Sequence, residues 1–179
     1  RMGFRAAGGA GGAPFLPGAA PPPRPRPPAD LRGRLKVRQQ TRPDVLEAAR
    51  QTYLEAGIEA ETAPFFRDMA ALLSSAHLVI GRAGASTCSE LAVAALPSVL
   101  IPLKIATDDH QTLNAAALSG AGAAVVIAEA ARTPERLPDV ARPLLADPSR
   151  LAAMSAAART AAIPDAARRL ADLVEATAA

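Results

Sequence analysis

The residues with the clearest potential for chemistry lie between positions 81 and 91, in the stretch GRAGASTCSEL. A short apolar segment ends there, turns through two glycines and passes into a segment with the composition of a helix. Gly84 allows a ligand to approach the backbone closely, and the free N–H groups of Ala85, Ser86 and Thr87 lie at the positive end of the helix dipole. This layout predicts a binding site for a phosphate or a pyrophosphate.

Glu90 adds a carboxylate to what the spacing predicts to be the first turn of that helix. One interpretation is structural: the carboxylate complements the helix dipole or closes a capping box with Ser86 or Thr87. The other is functional: it accepts hydrogen bonds from the two hydroxyls of a ribose, as acidic residues do in other nucleotide sites. The residue pattern alone leaves both interpretations open.

A second polar cluster, DDHQTLNAAAL at positions 108–118, follows the apolar segment SVLIPL and begins another predicted helix. Gln111 and Asn114 lie three residues apart, on one helical face, where both side chains could reach sugar hydroxyls. Alternatively, the cluster only caps the helix through Asp108 or Asp109. The motif PFFRDM at positions 64–69 is similarly open, since its two aromatic side chains either line a base pocket or fill the core.

The remaining reactive side chains do not form a metal or catalytic site by spacing. His110 lies beside two aspartates, but His77 is the only other histidine and no ligand spacing links the two. Cys88 is the single cysteine, which excludes an internal disulfide, fits a reducing compartment and predicts a small buried thiol. We therefore predict no metal, no cofactor and a cytoplasmic protein.

The elements that must position these residues follow an alternating pattern. From residue 31 onwards, short apolar segments alternate with longer segments of helical period, which is typical of a parallel sheet covered by helices. We predict a doubly wound, Rossmann-like α/β fold, in which ligands bind at the carboxyl ends of the strands. Strands are predicted at residues 35–40, 58–62, 78–80, 98–101 and 124–127. Helices are predicted at residues 44–56, 68–75, 86–94, 111–119, 134–145, 148–160 and 165–177.

Residues 1–30 differ in amino-acid composition from the rest of the chain. They contain 6 of the 12 glycines and 8 of the 17 prolines, so we predict a disordered segment there and a folded domain over residues 31–179. GGAGGAP at positions 8–14 resembles a phosphate loop only loosely, and a linker is the alternative. The net charge of +3 also falls within this segment, which argues against a nucleic-acid-binding surface on the domain. No spanning helix or signal peptide is predicted.

Four blocks taken together resemble one protein family. QQTRP, PFFRDMAALLSSAHLVIGRAGASTCSELA, LPSVLIPL and DDHQTLNAAAL are similar, in order and spacing, to the C-terminal donor-binding domain of the MurG family. These are the peptidoglycan lipid II N-acetylglucosaminyltransferases of glycosyltransferase family 28, and the resemblance covers residues 31–174. It implies that the fold is the C-terminal half of a GT-B glycosyltransferase.

The resemblance also implies a role for each matching residue. The donor would be UDP-N-acetylglucosamine, with Phe66 against the uracil, Glu90 on the ribose hydroxyls and Gln111 on the sugar. The phosphates and ribose would be covered by the run Ala85, Ser86, Thr87, Cys88, Ser89 and Glu90. Arg82, Gly84 and Asn114 would support the loops. No residue of this chain would be catalytic.

The departures from the family pattern limit what the chain is expected to do alone. The family places a strand and a GGSQGA-like loop where this chain reads RAAGGAGGAPFLPGAA, and an acceptor-binding domain before that. Inverting sugar transfer needs a base as well as a stabilised leaving group, so we expect donor binding without turnover unless an N-terminal acceptor domain, missing or separately encoded, is supplied. Alternatives are a frame-shifted product, a non-catalytic UDP-sugar-binding module and the donor subunit of a split glycolipid glycosyltransferase. Membrane contact would be peripheral, through the lipid acceptor.

Overall fold

The structure, a computed structural model, describes residues 33–103, 109–133 and 136–178. The predicted disordered segment and its glycine pairs lie outside these residues, as do Asp108 and Pro134. The strands are β1 (Lys36–Gln40), β2 (Glu59–Ala63), β3 (Val79–Gly81), β4 (Ser98–Leu100) and β5 (Ala124–Val126). The α-helices are α1 (Leu46–Glu55), α2 (Met69–Ser74), α3 (Ala85–Val93), α4 (His110–Gly120), α5 (Arg136–Ala146), α6 (Pro148–Ala161) and α7 (Ala166–Ala178). Short 3-10 helices cover Pro43–Val45 and Glu129–Ala131.

All the strand pairs are parallel, which confirms the predicted α/β class, but hydrogen bonds divide the strands into two sheets. β1 pairs with β2, with Lys36 opposite Glu59. β4 lies between β3 and β5, and Ser98 stands opposite both Val79 and Ala124. Within the described residues no hydrogen-bonded ladder joins the two sheets, whereas the sequence pattern predicts one continuous sheet.

Helices cover both faces of the three-stranded sheet. Because successive side chains of a strand point to opposite faces, Leu100 packs in one apolar cluster while Val99 and Ile101 pack in the other. The first cluster contains Leu91 of α3 and Leu118 of α4. The second is completed by side chains of α5 and α6 and by one from β1: Leu144, Leu151, Met154 and Val37. This arrangement is the double winding that the alternating pattern predicts.

The two-stranded sheet is apolar on one face and charged on the other. Val37 is buried, whereas its neighbours Lys36 and Arg38 form ion pairs of 2.8 Å with Glu59 and Glu61 on β2. These four side chains are exposed, so each pair contributes at most about 1 kcal/mol to stability. Because both cations lie on β1 and both anions on β2, the pairs favour association of the two strands.

The residues around position 147 explain where helix α6 begins. Asp147 precedes α6, and its carboxylate accepts hydrogen bonds from the N–H groups of Ser149 and Arg150 at 2.9 and 3.1 Å. The Ser149 hydroxyl donates a further hydrogen bond of 2.6 Å, and this bond, followed by the backbone bonds, lowers the pKa of the Asp147 carboxyl. Pro148 occupies the first helical position, where its missing N–H is not needed. A cap and a proline in sequence therefore fix the start of α6 at the predicted residue.

Candidate functional site

The candidate site lies at the carboxyl ends of β3 and β4, where the loops that follow these parallel strands meet. The loop after β3 spans residues 82–84 and enters α3, and the loop after β4 begins at Ile101 and leads to α4. The 3-10 helix Glu129–Ala131 follows β5 at the same edge of the sheet. Three consecutive strand ends therefore contribute to one region.

The start of α3 presents backbone N–H groups without an N-cap side chain. The N-cap residue is Gly84, which has extended backbone geometry (φ −63°, ψ 151°), and the first intrahelical bond runs from the Cys88 N–H to the Gly84 carbonyl oxygen at 2.9 Å. The amide groups of Ala85, Ser86 and Thr87 are therefore the first-turn donors at the positive end of the helix. Ala85 and Ser86 are exposed.

Glu90 is the sixth residue of α3, so it lies in the second turn and not in the first turn, where it was predicted. A capping box needs its acidic residue three positions after the N-cap, and that position is held by Thr87. The capping-box interpretation is therefore wrong. The Glu90 side chain is exposed, and its carboxylate makes no ion pair or hydrogen bond with any described residue. It lies on the same helical face as Ser86 and Thr87.

Cys88 points away from this surface. Its side chain is buried in the apolar cluster beside Leu91 and Ala92, and burial raises the pKa of the thiol. A protonated, enclosed thiol is a poor nucleophile and a poor metal ligand. Its side chain is thus a core group, and any contact of Cys88 with a ligand is left to the backbone. Ser89, the next residue, is exposed.

Two side chains near the start of α4, Gln111 and Asn114, connect the two loops. The Gln111 Oε1 accepts a hydrogen bond of 3.0 Å from the Leu103 N–H, and the Asn114 Nδ2 donates one of 3.0 Å to the Ala83 carbonyl oxygen. The N-cap of α4 is Asp109, in left-handed geometry (φ 51°), and it makes no side-chain capping bond. For Asp109 the capping alternative is therefore wrong; its carboxylate accepts from the Thr112 hydroxyl instead.

Arg82 joins the ends of β3, β4 and β5. Its Nη2 lies 2.7 Å from the Glu129 Oε1, and its Nη1 lies 3.1 Å from the Ile101 carbonyl oxygen and 3.5 Å from that of Pro102. Both partners of the ion pair are largely enclosed, with 19% and 27% of their side chains exposed. Glu129 was not predicted as a site residue. The available signal was its position just after the apolar run AVVI, at a strand end.

Phe66 lies in the loop between β2 and α2 and is half-buried, outside the hydrogen-bonded network around Arg82. Its neighbour Phe65 is 69% exposed, so the interpretation of both aromatic side chains as core is wrong for Phe65. No cluster of three acidic, histidine or cysteine side chains suited to a metal occurs in the described ranges. Across those same ranges, no helix is long and apolar enough to cross a bilayer.

Comparison with known proteins gives one family and several relatives. Residues 7–170 match the model of the glycosyltransferase family 28 C-terminal domain. The UDP-N-acetylglucosamine–N-acetylmuramyl-(pentapeptide) pyrophosphoryl-undecaprenol N-acetylglucosamine transferase of Caulobacter vibrioides is 54% identical over 171 residues, which cover 96% of this chain and 47% of the relative. The protein of the same name from Phenylobacterium zucineum is 54% identical over 151 residues, covering 84% and 41%. The chain spans about half the length of the curated relatives it matches.

Solved structures agree with the fold. The crystal structure of Acinetobacter baumannii MurG matches with a TM-score of 0.73 and 37% identity, covering 79% of this chain and 41% of that one. The glycosyltransferase of kitacinnamycin matches with a TM-score of 0.63 at 22% identity, covering 98% and 43%, and that likeness concerns the fold alone. In both cases the chain corresponds to less than half of the matched protein.

Proposed function

Because the chain belongs to the family of glycosyltransferase family 28 C-terminal domains, as its motifs predicted, we propose that it binds UDP-N-acetylglucosamine at the carboxyl ends of β3 and β4. The observation that carries the proposal is the start of α3. Backbone donors at Ala85–Thr87 and the exposed, unpartnered carboxylate of Glu90 share one helical face there. In a UDP-sugar the diphosphate is attached directly to the ribose, so their binding groups must lie close together, and Glu90 follows the first-turn N–H groups by about one helical turn (~5.4 Å).

Each part of the donor then has a partner in the site. The diphosphate binds the first-turn N–H groups of α3, where the helix dipole favours negative charge. The Glu90 carboxylate accepts from the two ribose hydroxyls, and Gln111, whose Oε1 is already engaged by Leu103, offers its Nε2 hydrogens to the sugar. Phe66 contacts the uracil, as the family resemblance implies.

Gly84 supports close approach of the ligand. Its backbone has an ordinary φ of −63°, and an added Cβ would meet only the Thr87 Oγ1 at 3.6 Å, which is normal contact. Neither backbone strain nor a neighbouring atom therefore demands a glycine at this position. A ligand that passes over the turn would account for the missing side chain.

We further propose that the chain is the donor half of an inverting N-acetylglucosaminyltransferase. The names of the relatives specify a UDP-N-acetylglucosamine donor and an undecaprenol-linked muramyl pentapeptide acceptor, which is the chemistry of peptidoglycan synthesis. The chain matches 47% of the Caulobacter vibrioides relative, and we propose that the acceptor site and the general base come from the half that it does not span. The complete enzyme would act peripherally on the cytoplasmic face of the membrane, where its lipid-linked acceptor is held.

Helix α7 offers a surface for that half. Leu170, Leu173 and Val174 lie at i, i+3 and i+4 and are 62%, 63% and 59% exposed. An apolar stripe of this spacing normally packs against another element. The N-terminal half of the relatives is the occupant we propose, since the chain matches only 47% of the Caulobacter vibrioides relative.

Calorimetric titration tests the donor site. We expect saturable binding of UDP-N-acetylglucosamine and of UDP, and much weaker binding of CDP, which has the same ribose and diphosphate as UDP and differs only in its base. Circular dichroism of the same sample reports folding. A folded chain that binds none of the three nucleotides would contradict the proposal.

Turnover distinguishes the donor half of an enzyme from a module that only binds. We expect no transfer of N-acetylglucosamine by the chain alone, and transfer to a lipid-linked muramyl pentapeptide after addition of the N-terminal half of the Caulobacter vibrioides relative as a separate polypeptide. Product formation is followed with radiolabelled donor. Donor binding without transfer in the mixed sample would favour the non-catalytic module.

A further inference from the structure

One peptide group in the loop after β4 is held from both ends. The carbonyl of Pro102 faces the Arg82 Nη1 at 3.5 Å, and the N–H of the same peptide, that of Leu103, donates to the Gln111 Oε1 at 3.0 Å. The preceding carbonyl, of Ile101, accepts from the same Arg82 nitrogen at 3.1 Å. Rotation of the Pro102–Leu103 peptide would break the contacts to Arg82 and Gln111 together.

Glu129 fixes the guanidinium that holds this peptide. The 2.7 Å ion pair approaches Arg82 on Nη2, the nitrogen that does not contact the loop carbonyls. Enclosing two charges costs desolvation energy, and an enclosed guanidinium without its carboxylate would turn towards solvent. The ion pair therefore keeps the Arg82 Nη1 directed at the loop, a function that an exposed surface pair does not have.

The position of the Leu103 N–H also determines the orientation of the Gln111 side-chain amide. A glutamine side chain offers one acceptor and two donor hydrogens, and its amide can be turned to exchange the two. Because the Leu103 N–H requires an acceptor, the Gln111 oxygen is turned towards the loop and its Nε2 is left for other partners. The loop geometry thereby decides which end of Gln111 is presented to a ligand.

We propose that Glu129 and Arg82 are positioning residues that fix the Pro102–Leu103 peptide and, through it, present the Gln111 amide as a hydrogen-bond donor to the sugar of the bound nucleotide sugar. This inference rests on the proposed donor site and extends it to specificity. The two residues would govern recognition of the sugar, whereas the nucleotide would be held by α3 independently of them.

The test compares UDP-N-acetylglucosamine with UDP in four chains: wild type, Glu129→Ala, Gln111→Ala and the double variant. Glu129→Ala is expected to raise the Kd for UDP-N-acetylglucosamine about five- to tenfold and the Kd for UDP by less than about twofold, since UDP lacks the N-acetylglucosamine group. In the Gln111→Ala background, Glu129→Ala should cause no further loss, because it acts through Gln111. Equal losses for both ligands, or additive losses in the double variant, would overturn the proposal.

A second measurement needs no ligand. The Leu103 amide hydrogen, followed by NMR, should exchange faster in both Glu129→Ala and Gln111→Ala than in the wild type. Unchanged Leu103 exchange in Glu129→Ala would overturn the positioning role. If the wild type binds neither nucleotide while this exchange behaves as expected, the donor site is wrong and the loop geometry stands.

Two controls separate positioning from general damage. Glu59→Ala removes an equally short ion pair at an exposed place on β2, and it should leave both Kd values and the Leu103 exchange unchanged. Glu129→Gln keeps the shape and one hydrogen bond, and it should restore part of the lost affinity. Thermal unfolding of each variant shows that comparisons are made between folded chains.

Discussion

Replacement of Glu90 by alanine is expected to weaken the binding of both UDP-N-acetylglucosamine and UDP by on the order of 1–3 kcal/mol, roughly five- to 150-fold in Kd. The carboxylate is exposed and has no partner among the described residues, so the protein itself does not use its hydrogen-bonding capacity. The ribose hydroxyls are present in both ligands, and for that reason both affinities should fall together. Calorimetric titration measures the two values.

The pattern across ligands makes this prediction specific. Loss of Glu90 should affect UDP and UDP-N-acetylglucosamine equally, whereas loss of Gln111 should affect only the sugar-bearing ligand. Glu175→Ala, at an exposed position of α7, is the matched control and should change neither affinity. Because Glu90 is exposed, its replacement should leave the fold intact. If a folded Glu90→Ala variant bound both ligands with wild-type affinity, the proposed contact between Glu90 and the ribose would be wrong.

Leu100→Ala is expected to lower the free energy of unfolding by about 2–5 kcal/mol. Leu100 lies on β4, the central strand of the three-stranded sheet, and its side chain is 0% exposed between α3 and α4. Neighbouring strands and helices fix its surroundings, so the cavity left by the missing atoms cannot close fully. Urea denaturation measures the change.

The same substitution on the surface provides the comparison. Leu54 in α1 is 71% exposed, and leucine and alanine have similar helix propensities, so Leu54→Ala should change stability by less than about 0.5 kcal/mol. A Leu100→Ala variant as stable as Leu54→Ala would mean that β4 is not packed as described. The two variants lose the same atoms, one from a buried position in a strand and one from an exposed position in a helix.

The parts of the fold that local chemistry determines were predictable. VLI at positions 99–101 is apolar without alternation and lies at a strand buried on both faces, and Asp147 with Pro148 marked the start of α6. The first-turn position predicted for Glu90 was wrong because Glu90 is the sixth residue of α3, and even a helix that starts at Ser86 would place it fifth. The core alternative was wrong for Phe65, which is 69% exposed, because an aromatic residue type does not by itself determine burial in a loop.

Features that depend on the order of strands in space were not predictable. Arg82 and Glu129 are 47 residues apart, and they meet only because β3, β4 and β5 are consecutive in the sheet. Neither local periodicity nor spacing contains that information. The roles assigned to the site residues through the family resemblance stay predictions, although the hydrogen bonds of Gln111 and Asn114 place both side chains at the loops where those roles require them.

The division of the strands into two sheets has a consequence for how the molecule comes apart. Of the described apolar side chains of β1, β2 and α1, Val37 alone is buried. The three-stranded sheet, in contrast, is enclosed by helices on both faces. Local opening should therefore begin in β1, β2 and α1, as one cooperative unit of low stability, while the strands and helices that form the donor site remain folded.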